Sequence, residues 1–575
     1  MAELFERRLS RRSLLRGGAA VGPLLLLRPS TASADEPLGP RRLSWGADPT
    51  TTVGLGLSLP GGVQRARLLV GLVDGRLERP IDVDTHGVTG VGTRYGQVTV
   101  PELRPGTSYR YAVELDGRRR GDGRFATLAQ QPGAYTFTAF GDEGTSDTAR
   151  AILRQIQTIS PAFHLVSGDL CYADASGAGH PDDQVHPVVW DQWLRMINRV
   201  SSEIPWMNAV GNHEMEPGQG PQRYDGYLAR FVRPDNGATA CPATHHFRGG
   251  AAAFVQVDSN DVSNEIPANR GYSGGEQTRW LDDVLARYRQ DPSISFLVVT
   301  MHHCGFSSAD SHGSDSGVRD NWTPLFDRHG VDLVLSGHNH AFERSHPLRR
   351  GVPVVAAPPG ATVDSRQGTS YLVVGGGGAT AAHSFAPDRP TLVRPDGRAE
   401  RETAQFSAVR SLRYSFHTAR VTPPRPGVHA SLRLVVRADD GAVLDQVTLT
   451  RPAAPPAPSD RPAAAVIGGA AVLGGLAGGA GVAAVRRRRS GRDEPGTDEP
   501  RSDRRSVEHV QHGARDSSPG GGAQPRRGVA DLLGGHPVVA ARGPPRVDRA
   551  EDERVDADAL AGALQRQRAS QHQHR

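Results

Sequence analysis

The stretch His164-Leu165-Val166-Ser167-Gly168-Asp169-Leu170-Cys171-Tyr172-Ala173-Asp174 decides how this chain is read. An apolar run over 163–166 ends in Ser167-Gly168, and Asp169 and Tyr172 follow. A buried strand that stops at a glycine and then presents a carboxylate puts a ligand at the edge of a sheet. A carboxylate has two oxygens, so Asp169 can bridge two metal ions, with Tyr172 in reach of one of them. Phenolate beside carboxylate suits a hard, highly charged ion such as Fe(III). Alone, the stretch reads more readily as an exposed turn after a strand. Its meaning comes from other stretches of the same form.

Each neighbouring apolar run also ends in polar residues. The run 135–140 gives Gly141-Asp142-Glu143-Gly144, and 206–210 gives Gly211-Asn212-His213-Glu214. The run 293–300 gives Met301-His302-His303, and 331–336 gives Gly337-His338-Asn339-His340. Between them lie helical patterns over 147–158, 188–200 and 275–290, the last with Trp280, Leu281, Val284, Leu285 and Tyr288 in register. Strands alternating with helices predict an α/β (α+β layered) domain with a buried sheet, which strands at 371–374, 431–436 and 443–449 complete. Loops at the carboxyl ends of such strands share one crevice. Asp, Asn, Tyr and His in all of them predict a two-metal site. Singly, each motif also reads as a turn, a capped helix start or a core histidine pair. The same order at every strand end does not.

The chain has 575 residues, room for about three or four domains. All 67 basic residues are Arg, none is Lys, and the net charge is +5. No basic cluster is interleaved with aromatics, which argues against a nucleic-acid partner. Ser10-Arg11-Arg12-Ser13-Leu14-Leu15, an apolar run over 17–27 and Ala32-Ser33-Ala34 read as a twin-arginine export signal over 1–34. Residues 40–130 carry short strand patterns (51–55, 66–72, 96–100) and an alternating run after Leu103-Arg104-Pro105-Gly106. This resembles a fibronectin type III sandwich, with Tyr109 as its corner tyrosine. The layered domain spans 134–451, and 452–462 is a Pro/Ala linker. Residues 463–485 carry no charge and would extend about 35 Å as a helix, enough to cross a bilayer. Arg486 to Arg489 then fit a C-terminal membrane anchor with a disordered tail over 486–575 on the inner side. Its nine Ala and seven Gly leave a flexible spacer as the alternative. Cys171, Cys241 and Cys304 lack Cys-x-x-Cys spacing and read as small buried fillers rather than ligands.

The set GD, GDxxY, GNHE, VxxH and GHxH, with the flanks GNHEMEPGQG (211–220) and GHNHAFER (337–344), resembles the metallophosphoesterase (calcineurin-like phosphoesterase) superfamily. The Tyr of GDxxY makes it resemble the purple acid phosphatases in particular. The resemblance covers about residues 40–451. It implies an exported phosphatase that hydrolyses phosphate monoesters with a metal-bound hydroxide at a binuclear centre of Fe(III) and a divalent ion (Zn, Mn or Fe). Position by position, it implies that Asp142, Tyr172 and His340 hold Fe(III), that Asp169 bridges, and that Asn212, His302 and His338 hold the divalent ion. It implies that His213 and His312 contact the phosphoryl group and that His312 protonates the leaving oxygen. The chain departs from the pattern at Ser311, where some relatives carry a second His, and at Cys304, where Pro is common. His303 reads as a neighbour of the ligands, and His164, His245, His246 and His383 as structural. The same core serves phosphodiesterases and nucleotidases. A non-catalytic cell-surface binding protein would share the N-terminal module and the anchor, but a decayed enzyme need not keep all the ligand positions.

Overall fold

The computed structural model describes residues 38–452, except 132, 175, 380–382 and 387–390. The expected signal segment, most of the linker, the expected span 463–485 and the tail lie outside the described residues. Among the described residues no helix is long and apolar enough to cross a membrane.

Two seven-stranded sheets lie face to face. In the first, Trp206–Ala209, His164–Ser167 and Tyr135–Phe140 run parallel. Ser415–Thr422, Ala430–Ala438 and Val443–Arg451 extend it antiparallel, and Thr362–Asp364 closes it. In the second, Ala252–Gln256, Phe296–Met301, Leu333–Ser336 and Ser370–Val374 are parallel. His245–Gly249 flanks one side, and Phe342–Ser345 with Ser407–Ser411 the other.

The layering follows from alternation, because successive strand residues face opposite ways. Phe137, Ala139, Phe163 and Leu165 of the first sheet meet Phe254, Phe296, Val298 and Leu335 of the second. The outward residue Val166 packs under Trp190, Trp193 and Leu194 of the helix Pro187–Ser201 and Ile152 and Ile156 of the helix Asp147–Ile159. On the far side, Leu297, Val299 and Val334 meet Leu281 and Leu285 of the helix Glu276–Gln290 and Trp322 and Phe326 of Ser316–His329. The one buried sheet expected from the strand pattern is therefore two, the sandwich that the family resemblance implies. The strand at 371–374 joins the second, while those at 431–436 and 443–449 join the first. The helix Ser316–His329 was not expected, since Pro324 lies inside it and interrupts the helical signal.

Residues before 127 form two four-stranded antiparallel sheets around Leu55, Leu57, Leu68, Tyr111 and Val113. The Arg104 amide donates to Tyr109 Oη at 2.7 Å. This module is docked on the layered domain by buried groups. Trp45 packs 4.8 Å from Phe163, ring to ring, and Arg42 Nε donates to the Arg230 carbonyl at 2.8 Å.

The two large sheets are also joined by a buried ion pair. Arg344, in Phe342–Ser345, donates from Nε to Asp445 Oδ2 (2.6 Å) and from its terminal nitrogen to Oδ1 (3.2 Å), and both side chains are 1% exposed. Removing one partner strands a buried charge. Asp445→Ala should lower unfolding stability by about 3–5 kcal/mol, and pairing it with Arg344→Met should recover much of that loss. Denaturant melts check both. A single variant no less stable than the double would refute the staple.

Candidate metal centre

The motif strands of each sheet run parallel, so their carboxyl ends open on one edge. Asp142 follows Tyr135–Phe140, and Asp169 and Tyr172 follow His164–Ser167. Asn212 and His213 sit in the 3-10 turn Asn212–Glu214. His302 follows Phe296–Met301, and His338 and His340 follow Leu333–Ser336. Asp142, Asp169, Tyr172 and His338 all have left-handed backbone, with φ of 60°, 52°, 59° and 67°. Such conformations cost about 1–3 kcal/mol each in non-glycine residues and persist only where the surroundings enforce them. Gly168 precedes Asp169 at φ 81°, and a Cβ there would lie 2.7 Å from His302 Nδ1. Only glycine lets the two sheets approach this closely.

Two triplets of donor atoms result. Tyr172 Oη lies 3.2 Å from Asp142 Oδ1 and 2.9 Å from His340 Nε2, which is 3.4 Å from Asp142 Oδ1. Asp169 Oδ2 lies 3.2 Å from His302 Nε2, and His302 Nε2 lies 3.2 Å from His338 Nδ1. The outer ring nitrogens are engaged. His302 Nδ1 donates to the Ser167 carbonyl at 2.8 Å, and His338 Nε2 to Glu265 Oε2 at 3.1 Å. That fixes the tautomers and leaves the inward nitrogens to accept a cation. Asn212 Nδ2 donates to the Gly177 carbonyl at 3.0 Å, while its buried Oδ1 has no hydrogen-bond partner among the described residues. Leaving such an oxygen unpaired costs about 1–3 kcal/mol. A cation would satisfy it. The orphaned oxygen and the mixed carboxylate, phenol and imidazole donors fit a binuclear metal centre.

The electrostatics of the metal-free protein agree. Burial opposes a charge on Asp169, but the facing His302 and His213 outweigh it and hold the carboxyl well below its usual range. Burial likewise opposes a proton on His302, yet Asp169 raises that imidazole to about 10. Burial, reinforced by His312, lowers His338 to about 4. Burial and then Asp142 push the Tyr172 phenol well above its usual value.

The sequence reading gave Glu214 no role, although it stands three residues after Gly211 in a capping pattern. It is buried, and its two oxygens collect the amides of Asp169 (2.9 Å), Leu170 (2.8 Å) and Gly211 (2.7 Å). One carboxyl group thus locks the GDLCY loop to the GNHE loop. Burial and then Asp169 raise it to about 8.

His213 is held by the Asp174 carbonyl at Nδ1 (2.9 Å), with Nε2 4.0 Å from Asp169 Oδ2. His312 is partly exposed, and its Nδ1 is hydrogen-bonded to Glu265 Oε1. Its loop is pinned twice: Glu343 accepts from the Ser308 amide (2.7 Å) and hydroxyl (2.6 Å), and Asn339 Nδ2 donates to the Gly313 carbonyl (3.0 Å). His303 bonds the Ser259 hydroxyl at 2.8 Å and packs on His338. His164 contacts Thr138 in the core, and His246 contacts Tyr288 away from the crevice. His383, read from sequence as structural, instead stacks on His340 (4.2 Å between centroids, 13°) and faces His312 at 4.9 Å. Its Nδ1 accepts the His340 amide at 3.1 Å. No local pattern marked it. All three cysteines are buried free thiols.

The calcineurin-like phosphoesterase family profile matches residues 84–342. An uncharacterized protein of Mycobacterium tuberculosis is 33% identical over 476 residues, 73% of this chain and 88% of that protein. The phosphoenolpyruvate phosphatase of Allium cepa is 27% identical over 289 residues, 49% of this chain and 56% of that enzyme, so the chain spans little more than half of it. In three dimensions the chain is similar to a purple acid phosphatase from yellow lupin (Lupinus luteus) seeds, with a TM-score of 0.58 and 20% identity over 72% of this chain and 75% of that one. The two-sheet fold agrees with these likenesses, and the chain belongs to the calcineurin-like phosphoesterase family, as a hydrolase of its purple acid phosphatase-like branch.

Proposed function

We propose that the protein is an exported phosphatase that hydrolyses phosphate monoesters at a centre of Fe(III) and a divalent ion, Zn, Mn or Fe. The observation that carries the reading is the pair of converging donor triplets, one of which contains a phenol. Asp142, Tyr172 and His340 would hold Fe(III). Asp169 would bridge, and Asn212, His302 and His338 would hold the divalent ion. When bound, two cations supply positive charge to the phosphoryl oxygens and lower the pKa of a water.

The chain's own side chains do the rest. As the imidazolium, His213 donates to a phosphoryl oxygen from Nε2, since its Nδ1–H is committed to the Asp174 carbonyl. His312 delivers a proton to the leaving oxygen, which an alkoxide requires. The N-terminal module is a fibronectin type III-like support, a reading favoured by the Arg104–Tyr109 corner bond. The export motif at 10–15 and the uncharged span 463–485 favour a domain outside the cell, tethered to the membrane by its C-terminus.

Metal uptake should release protons. His302, raised to about 10, is charged at pH 7 and must be neutral to ligate, and the Tyr172 phenol must ionise. His338 is already neutral. Calorimetry of the metal-free protein in buffers of different ionisation enthalpy should give at least two protons per pair of ions, with affinity rising with pH. Uptake without proton release would contradict the ligand assignment.

His312→Ala should cut kcat on an alkyl phosphate by more than on 4-nitrophenyl phosphate, by up to the about 10²–10⁴-fold that acid assistance supplies. Equal losses would remove it from that role.

The phenolate identifies the iron. Oxidised protein should show a visible charge-transfer band, and Tyr172→Phe should abolish it while leaving the fold and part of the activity. A protein with two metals, one of them iron, and no such band would refute the Tyr172–iron bond.

A further inference from the structure

Glu265 belongs to none of the motifs, yet its carboxylate stands between two histidines of the crevice. Oε1 takes the hydrogen bond of His312 Nδ1, and Oε2 lies 3.1 Å from His338 Nε2. The two imidazoles are 4.1 Å apart between centroids. His338 turns its other nitrogen, Nδ1, to His302. One side chain therefore touches both the proposed proton donor and a proposed metal ligand.

The backbone supports this contact independently. Asp315 is buried, and it caps the helix Ser316–His329 by accepting the Gly317 amide at 2.7 Å. The same carboxylate accepts the Ser263 hydroxyl (2.7 Å) and the amides of Asn264 (3.0 Å) and Glu265 (3.1 Å). The loop carrying Glu265 and the loop carrying His312 are thus clamped on one residue. Side-chain aim in the crevice is set by buried hydrogen bonds rather than by exposed loops.

We infer that Glu265 is a positioning residue for leaving-group protonation: it holds His312 by Nδ1, so that only Nε2 faces the ester oxygen, and registers that aim against His338. This rests on His312 being the acid, as proposed above. The bonds that change in turnover stay on His312 and the substrate. Glu265 neither gains nor loses a bond to phosphorus.

The test uses the metal-loaded enzyme, with metal content measured for every variant. Glu265→Gln keeps the shape and removes the carboxylate. On glycerol 2-phosphate its kcat should fall at least about 10-fold further than on 4-nitrophenyl phosphate, inside the about 10²–10⁴-fold available to a general acid. KM should move little on either substrate. In a His312→Ala background the same change should add no further selectivity. Glu265→Asp, which keeps the charge but shortens the reach, should show the selectivity with both metals retained, even if Glu265→Gln loses one. Equal losses on the two substrates in both variants, or additive selectivity in the double mutant, would overturn the role. Selectivity in His312→Ala but in neither Glu265 variant would overturn Glu265 alone. No selectivity in His312→Ala would overturn the acid assignment itself, and this role with it.

Discussion

Everything in the crevice depends on keeping a carboxylate charged where water is excluded. Asp169 is 2% exposed, and the strand before it is buried throughout. A lone charge there is prohibitively costly, so it must be paired. The metal-free protein pairs it with His302 across the junction of the two sheets, and the His213 amide adds a hydrogen bond at 3.0 Å. In the proposed metal-loaded protein, cations would take over that compensation. The left-handed backbone of Asp142, Asp169, Tyr172 and His338 is a cost accepted for the same end, because it turns these side chains towards one another.

Around that pair, the support is built from buried carboxylates that receive backbone amides. Glu214 ties two ligand loops together, Asp315 ties two wall loops together, and Glu343 anchors the segment leading to His312. Each sits on a different element. Farther out, Arg344 and Asp445 hold the sheets in register with each other. The sequence GHNHAFER thus carries proposed ligands at His338 and His340, a loop anchor at Glu343 and a sheet staple at Arg344.

The candidate ligands were legible because each follows closely on an apolar run, in most cases through a glycine, a pattern confined to a few residues. The first sheet's parallel strands and three of the major helices were legible for the same local reason. What escaped was what depends on distance. The strand Ala252–Gln256 is buried on both faces and shows no alternation. The strand Ser415–Thr422 mixes His, Thr and Arg with its apolar residues, and its pairing with Tyr135–Phe140 spans most of the domain. Glu265 and His383 reach the crevice from long loops, so nothing nearby in sequence marks them. Two facing sheets rather than one is likewise a matter of which far strands pair.

The central claim is that the two donor triplets hold two metal ions and that both are needed to hydrolyse a phosphate monoester. Elemental analysis of the purified protein, with activity followed as metal is stripped and restored, tests it most directly. The account predicts two ions per chain, one of them iron, with hydrolysis lost on chelation and regained only as the second ion is restored. Undiminished hydrolysis by the stripped protein, or full activity with a single ion bound, would contradict it.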